Sequence, residues 1–202
     1  MKKAIFATAL FVALGMTSFA QLKDGRYTID YKASKIEWTG QKVTGEGHSG
    51  TVRISSGLVE VKGNAITSAK VKVDMNAIEN TDIPAGEVNA NLVNHLKAED
   101  FFNSAKFPDA NFEATSVKEA KDAAGNTHTV NGKLTVKGIT QDIAFPAKVT
   151  ATDNQVTIVG TYDFNRAKFE VKYGSETFMG SLGDKAINDI VKLKFNLIGT
   201  KK

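Results

Sequence analysis

The sequence predicts a mainly β protein, an antiparallel sandwich or barrel in one domain with a short helical insertion. Three observations predict it. Segment after segment alternates apolar and polar residues with a period of two. Turn signals at Gly63-Asn64, Gly125-Asn126, Asp153-Asn154 and Gly174 separate these segments, as hairpins require and parallel β-α-β units do not. One stretch, residues 86–102, changes clearly to a helical period.

The first residues are set aside. Lys2 and Lys3 precede the apolar run "AIFATALFVALGM", and Ser18-Phe19-Ala20 offers small residues where a signal peptidase reads. Residues 1–20 are therefore expected to be a secretory signal peptide, cut between Ala20 and Gln21. The run is too short to span a bilayer comfortably. Residues 21–202 are expected to form one domain in the periplasm or outside the cell, with no integral membrane segment.

The elements follow in order. Weaker strands are expected at 35–39 and 50–55. "AKVKVDM" sets Ala69, Val71, Val73 and Met75 against Lys70, Lys72 and Asp74. In the helical stretch, Val88, Leu92 and Leu96 form one apolar stripe, and Pro108 stops anything helical soon after. Another weak strand is expected at 112–117. "VNGKLTVKG" turns Val130, Leu134 and Val136 inward and Lys133 and Thr135 outward. "IAFPAKV" aligns Ile143, Phe145, Ala147 and Val149, and "VTIVGTY" aligns Val156, Ile158 and Tyr162. A short helix at 184–189 precedes "VKLKFNL", which aligns Val191, Leu193, Phe195 and Leu197. Each strand has one apolar and one solvated face.

Composition narrows the function. Cleavage of the leader removes Lys2 and Lys3 and lowers the formal net charge from +4 to +2, so no nucleic-acid partner is expected. The absence of Cys excludes disulfides, thiol catalysis and thiolate metal sites. "GEGHSG" at 45–50 has the spacing of a dinucleotide-binding loop. "TVRISS" after it reads as strand, where a phosphate site needs a helix, so a Gly-rich turn or bulge is expected. His48, His95 and His128 are widely separated, so no metal site is expected. No G-x-S-x-G elbow occurs. Paired carboxylates at strand ends remain open. An outer-membrane barrel is disfavoured because Lys recurs on the polar strand faces.

The aromatic residues carry the most information. Trp38, Phe102, Phe107, Phe112, Phe145, Phe164, Phe169 and Phe195 sit in or beside the strands. Taken singly, each is an ordinary core residue. A sheet closed into about eight strands would instead leave a ligand cavity lined by its apolar faces.

The order of these pieces resembles the YceI-like family of exported, lipocalin-like barrels. "YTIDYKASKIEWTG", "GEGHSGTVRISSGLVEV" and "VKVDMNAIEN" are followed by "NHLKAEDFFNSAKFPDANFEATS", "VNGKLTVKGITQDIAFPAKV" and "TYDFNRAKFEV". The block with His95-Leu96, Asp100-Phe101-Phe102 and Phe107-Pro108 is the most specific mark. Departures occur at Lys168 and Glu170, around Val93 and Asn94, and in "GSETFMGSLGDKA", which looks inserted. The resemblance implies a single antiparallel barrel of about eight strands with a short helical insertion. Within it, a long isoprenoid or fatty-acyl lipid would bind without covalent linkage, for periplasmic carriage or storage. It implies no catalytic residues and no cofactor. The expected lining is Trp38, Phe102, Phe107, Phe112, Leu134, Val136, Phe145, Ile158, Phe164, Phe169, Leu193 and Phe195, with Arg166 at the lipid head group. The helix would cap the cavity. A homodimer is left open. The alternatives are a barrel-fold enzyme on a small apolar substrate and a ligand-free stress-response or scaffold protein.

Overall fold

The structure, a computed structural model, describes residues 21–201. The expected signal peptide lies outside the described residues. Nine strands form one antiparallel sheet: β1 Gly25–Ile29, β2 Lys35–Gln41, β3 Gly47–Lys62, β4 Ala65–Asn80, β5 Asp109–Glu119, β6 His128–Val136, β7 Ile139–Ala151, β8 Gln155–Asn165 and β9 Ile190–Lys201. From β3 to β9, each strand pairs with the next in sequence. β2 then pairs with both β9 and β3, which closes the ring. β1 pairs with the same two strands further along, Gly25–Thr28 against β3 and Tyr27–Ile29 against β9. Thus β1 and β2 share one wall position, interrupted where Asp30 Oδ1 accepts from the Lys32 and Ala33 amides at 2.9 and 3.1 Å. The barrel has eight positions built from nine strands.

Every expected strand is present and longer than its alternation suggested, and β1 is additional. The long strands β3 and β4 explain the shortfall. Their ladder shifts register between Val52 and Arg53, Ile54 and Ser56, and Glu60 and Val61. The first skips three residues of β4, Met75, Asn76 and Ala77, and the other two skip one each, Ser55 and Thr67; every skip is an odd number, so it bends the strand and reverses which parity faces inward. On β4 the buried positions accordingly move from Val71 and Met75 to Ile78 and Asn80. "GEGHSG" forms the turn before β3 and the start of that strand, with no helix after it.

The helix, α1 Glu87–Lys97, differs from expectation in two ways. It ends at Lys97, because Ala98 is extended and the chain then turns through Asn103 at φ 48°. Its stripe is also incomplete: Leu96 is buried and Leu92 half-buried, but Val88 is 68 % exposed. Its apolar contact with the barrel is made by its C-terminal half, while Asn89 near its start donates to Asn80 at the end of β4. The helix expected at 184–189 is a 3-10 turn at Gly183–Lys185, and a single helical turn, α2 Glu176–Met179, precedes it.

One end of the barrel is packed solid. Tyr27, Ala147 and Val156 are fully buried there, with Val59 and Val61 beside them. Glycines in the wall make room for rings further along. A Cβ on Gly132 would lie 2.5 Å from the Phe112 ring, and one on Gly160 2.6 Å from the Phe195 ring. A Cβ on Gly50 would lie 2.6 Å from the Trp38 ring and would also collide with the Glu79 carbonyl on β4. Gly40, on the facing strand, has nothing within 4 Å of its Cβ direction. Gly50→Ala should therefore cost about 1–3 kcal/mol through overpacking, while Gly40→Ala should stay within about 0.5 kcal/mol. Chemical denaturation of the two variants checks this, and equal losses would refute the assigned packing.

Candidate binding cavity

Inside the barrel lies a cavity of ≈ 240 Å³ whose surface is apolar throughout. It reaches from Val59, Ile66 and Val149 at the packed end to Gly40, Phe101, Phe102 and Ile187, which are half-buried and form the mouth. Along β8 and β9 the lining spans Ile158–Phe164 and Val191–Leu197, roughly 20 Å of strand at 3.4 Å per residue.

Ten of the twelve expected lining residues are on its wall: Trp38, Phe102, Phe112, Leu134, Val136, Phe145, Ile158, Phe164, Leu193 and Phe195. They come together because alternate positions of neighbouring strands face one interior. Phe145 is the hub of an aromatic group, with ring centroids 5.5 Å from Phe112, 6.2 Å from Tyr162 and 5.2 Å from Phe195.

Phe107 and Phe169 are not lining residues. Phe107 precedes Pro108 in the turn before β5, and its ring packs on Gly138 in the β6–β7 turn, with Lys106 Nζ 5.4 Å from the ring centroid. Phe169 is 1 % exposed and stacks on Phe164 with centroids 5.0 Å apart, so it backs the wall from behind. It shares a buried cluster with Met75, Ala110, Val136 and Phe164, beyond the end of the β7–β8 ladder, which runs only from Ala147 and Gly160 to Ala151 and Val156. The ladder stops beside Pro146, which has no N–H to donate.

Arg166 borders the cavity, but its donors are committed elsewhere. Nε donates to the Asn188 carbonyl at 3.1 Å, one terminal nitrogen to Val171 and Tyr173 at 2.9 and 2.7 Å, and the other to Ile187 at 2.9 Å. Asp189 Oδ1 lies 3.4 Å away as counter-charge. Burial pushes the guanidinium pKa down and Asp189 pushes it back up. This side chain staples the 166–189 segment over the mouth. The expected head-group role is corrected, because four of the five N–H donors of the guanidinium go to these carbonyls and its counter-charge is Asp189.

Several lining residues were missing from the sequence-based set. Met75 and Ile78 flank the irregular part of β4, and Leu96, Phe101 and Ile187 belong to the cap. Tyr162 was legible as an inward residue, and its ring is part of the wall. Burial pushes its phenol pKa up, which keeps it neutral.

The cap is held by a polar network at one end of α1 and an aromatic cluster at the other. At the entry to α1, buried Asn80 donates to the Ser49 carbonyl and to Asp82, while its oxygen accepts from the Ile83 amide and Asn89. Asp82 also accepts from the Ser49 amide at 2.9 Å and lies 3.0 Å from His48 Nδ1. Burial pushes the Asp82 carboxyl up, but its hydrogen bonds to the Ser49 amide, His48 and Asn80 outweigh this and hold it at about 2. At the helix exit, the His95 ring meets Phe101 and Tyr173 edge-on at 5.5 and 4.3 Å. Among the described residues, no three His, Cys, Asp or Glu side chains gather as a metal site.

Two expectations follow. Arg166→Ala should destabilise the protein by roughly 3–5 kcal/mol, because it leaves Asp189 and several carbonyls unpaired. Arg166→Lys, with fewer donors and no planar fork, should recover only part of that loss. Thermal melts of the two variants test this. Asp82 has a folded pKa below its ordinary 3.8, so its contribution is present above about pH 4 and is lost as pH falls towards about 2. In acid titrations followed by circular dichroism, Asp82→Asn should flatten that part of the stability profile.

Comparison with known proteins agrees with this architecture. The YceI-like domain family matches residues 27–198. A UPF0312 protein of Vibrio parahaemolyticus is 28 % identical over the full length of both chains. The crystal structure of Burkholderia cenocepacia BcnA superposes with a TM-score of 0.67 at 22 % identity, covering 85 % of this chain and 99 % of that one. A polyisoprenoid binding domain from Saccharophagus degradans gives 0.60 at 17 % identity, covering 87 % and 98 %. A Campylobacter jejuni YceI protein gives 0.56 at 15 % identity, covering 100 % and 99 %. With the family match across nearly all the described chain and the same barrel in these structures, the chain belongs to the YceI-like family.

Proposed function

We propose that this protein binds the long apolar chain of an isoprenoid or fatty-acyl lipid inside its barrel, without covalent linkage, and carries or stores it in the periplasm. One observation carries the reading: an apolar cavity that runs along the barrel to a mouth beneath α1. The likeness in fold to a polyisoprenoid binding domain supports the ligand class, and the leader-like first twenty residues support export. The described lining includes no carboxylate and no imidazole, which favours binding over turnover.

The energy is that of apolar burial, about 0.8 kcal/mol per methylene. Ten buried methylenes give roughly 8 kcal/mol gross, near micromolar affinity before ordering costs. Affinity should therefore rise steeply with chain length until the cavity is full.

Mass spectrometry of lipids released from natively purified protein is the direct test. A long-chain lipid at near-stoichiometric yield is expected, and a lipid-free protein that also ignores added long-chain lipids would overturn the proposal. Leu134→Lys puts a charge on the apolar wall, where it must neutralise or disrupt the site, so lipid yield should collapse. Lys133→Glu, one residue away, breaks only the exposed pair with Asp142 at 2.9 Å and should leave binding unchanged.

A further inference from the structure

We propose that the loop bearing Phe178 and Met179 docks the mouth of the barrel on a lipid surface, so that a lipid chain passes between bilayer and cavity without crossing water. The biological purpose rests on the lipid-binding reading above, whereas the surface itself is argued independently.

The first observation is where exposed apolar side chains gather. Val43, Val88, Tyr173, Phe178, Met179 and Ile190 are all exposed at the mouth end; of the other large apolar side chains among the described residues, only Tyr31 and Val159 are comparably exposed. Val88 opens α1, the Val43 amide donates to the Ala186 carbonyl, Tyr173 packs on His95 and Phe101, and Ile190 opens β9 opposite Asn165. Scattered single apolar residues need no explanation, but a concentration around one opening does.

The second observation is the build of the tip. Residues 177–183, "TFMGSLG", carry no charge, and Phe178 and Met179 are 41 % and 56 % exposed. The tip is held in place. The Ser175 carbonyl accepts from the Phe178 and Met179 amides at 3.1 and 2.9 Å, Glu176 accepts from the Leu182 amide at 3.1 Å, and Thr177 donates to Asp189 at 2.6 Å. Phe178 and Met179 thus stay exposed in a fixed turn.

The third observation is continuity. The segment that carries the tip also supplies Ile187 to the cavity lining and Tyr173 to the Phe101 ring, and Phe101 lines the cavity as well. One short segment therefore joins the tip to the rim and the wall. Lys172, Glu176, Asp184 and Lys185 flank the tip with two charges of each sign. Attraction to the surface is then apolar and not electrostatic, unlike that of a polybasic patch. Lys172 Nζ, 5.3 Å from the Phe178 ring centroid, suits the level of the head groups when the ring enters the interface.

The test is co-sedimentation with phosphatidylcholine vesicles, with and without phosphatidylglycerol, at low and high salt. The parent should partition onto both, with little change on adding salt. The double variant Phe178→Ser with Met179→Ser should partition at least about tenfold more weakly. It should melt like the parent, since both side chains are exposed, and should pass a pyrene-labelled lipid between vesicles more slowly. Equal partition of parent and variant would overturn the proposal. So would a parent that ignores vesicles, one that binds only anionic vesicles at low salt, or one that self-associates through a patch the variant abolishes. A parent that takes lipid from detergent micelles but ignores vesicles would sink the docking alone. Vesicle binding lost in the double variant, with no lipid ever entering the barrel, would support the docking and remove the proposed carrier function.

Discussion

Everything else in the structure follows from closure of the ring by β1 and β2, each paired with both β9 and β3. Without it, β9 and β3 would present open edges, and the apolar faces of the other strands would have no enclosed volume to share. With it, alternate residues around the ring are forced into one interior. The polar faces, with pairs such as Lys70–Glu113, Lys72–Asp109 and Lys133–Asp142, meet water. These exposed pairs add little energy. Their consequence is directional: they make the inverted arrangement, with Lys inside, prohibitively unfavourable.

Within that ring, stability and binding use different parts of the same apolar set. The packed end buries Tyr27, Val59, Ala147 and Val156 almost completely, and gives the barrel a core that needs no ligand. Towards the mouth, large rings lie over glycines, as Phe112 over Gly132 and Phe195 over Gly160, so the wall is smooth and the centre stays open. The molecule is thus a filled barrel at one end and a lined one at the other. The cap divides its labour in the same way. Asn80 and Asp82 fix the start of α1, and Arg166 ties together the segment that faces it across the mouth. Leu96, Phe101 and Phe102 are held between these two polar anchors.

The sequence was informative wherever one face of a regular strand was buried. The segments at 130–136, 143–149, 156–162 and 191–197 were read with the correct face inward, because a period of two has only two phases and burial selects one. Alternation also held over 69–75 in β4, where Ala69, Val71, Val73 and Met75 face inward, but it could not be followed through β3 or the rest of β4, where bulges reverse the phase, and it missed β1, whose GRYTI is too short to display it. The lining assignment failed where a residue's direction depends on the path of a turn. Phe107 and Phe169 are as apolar as Phe112 and Phe164, but both lie outside regular strands.

By itself, then, the sequence determined the fold class, the order of the elements and the inward faces that make an apolar interior, since these follow from local periodicity and the cost of burying Lys, Asp or Glu. Where that interior is filled and where it is hollow was set by packing across the strands. That depends on which glycine sits under which ring across a strand pair, such as Gly50 with Trp38. The folded path of the chain likewise makes Arg166 structural: its carbonyl partners at Val171, Tyr173, Ile187 and Asn188 converge only after the chain has folded back on itself. A hydrogen bond is set by distance and angle in space, which residue type and spacing alone do not specify.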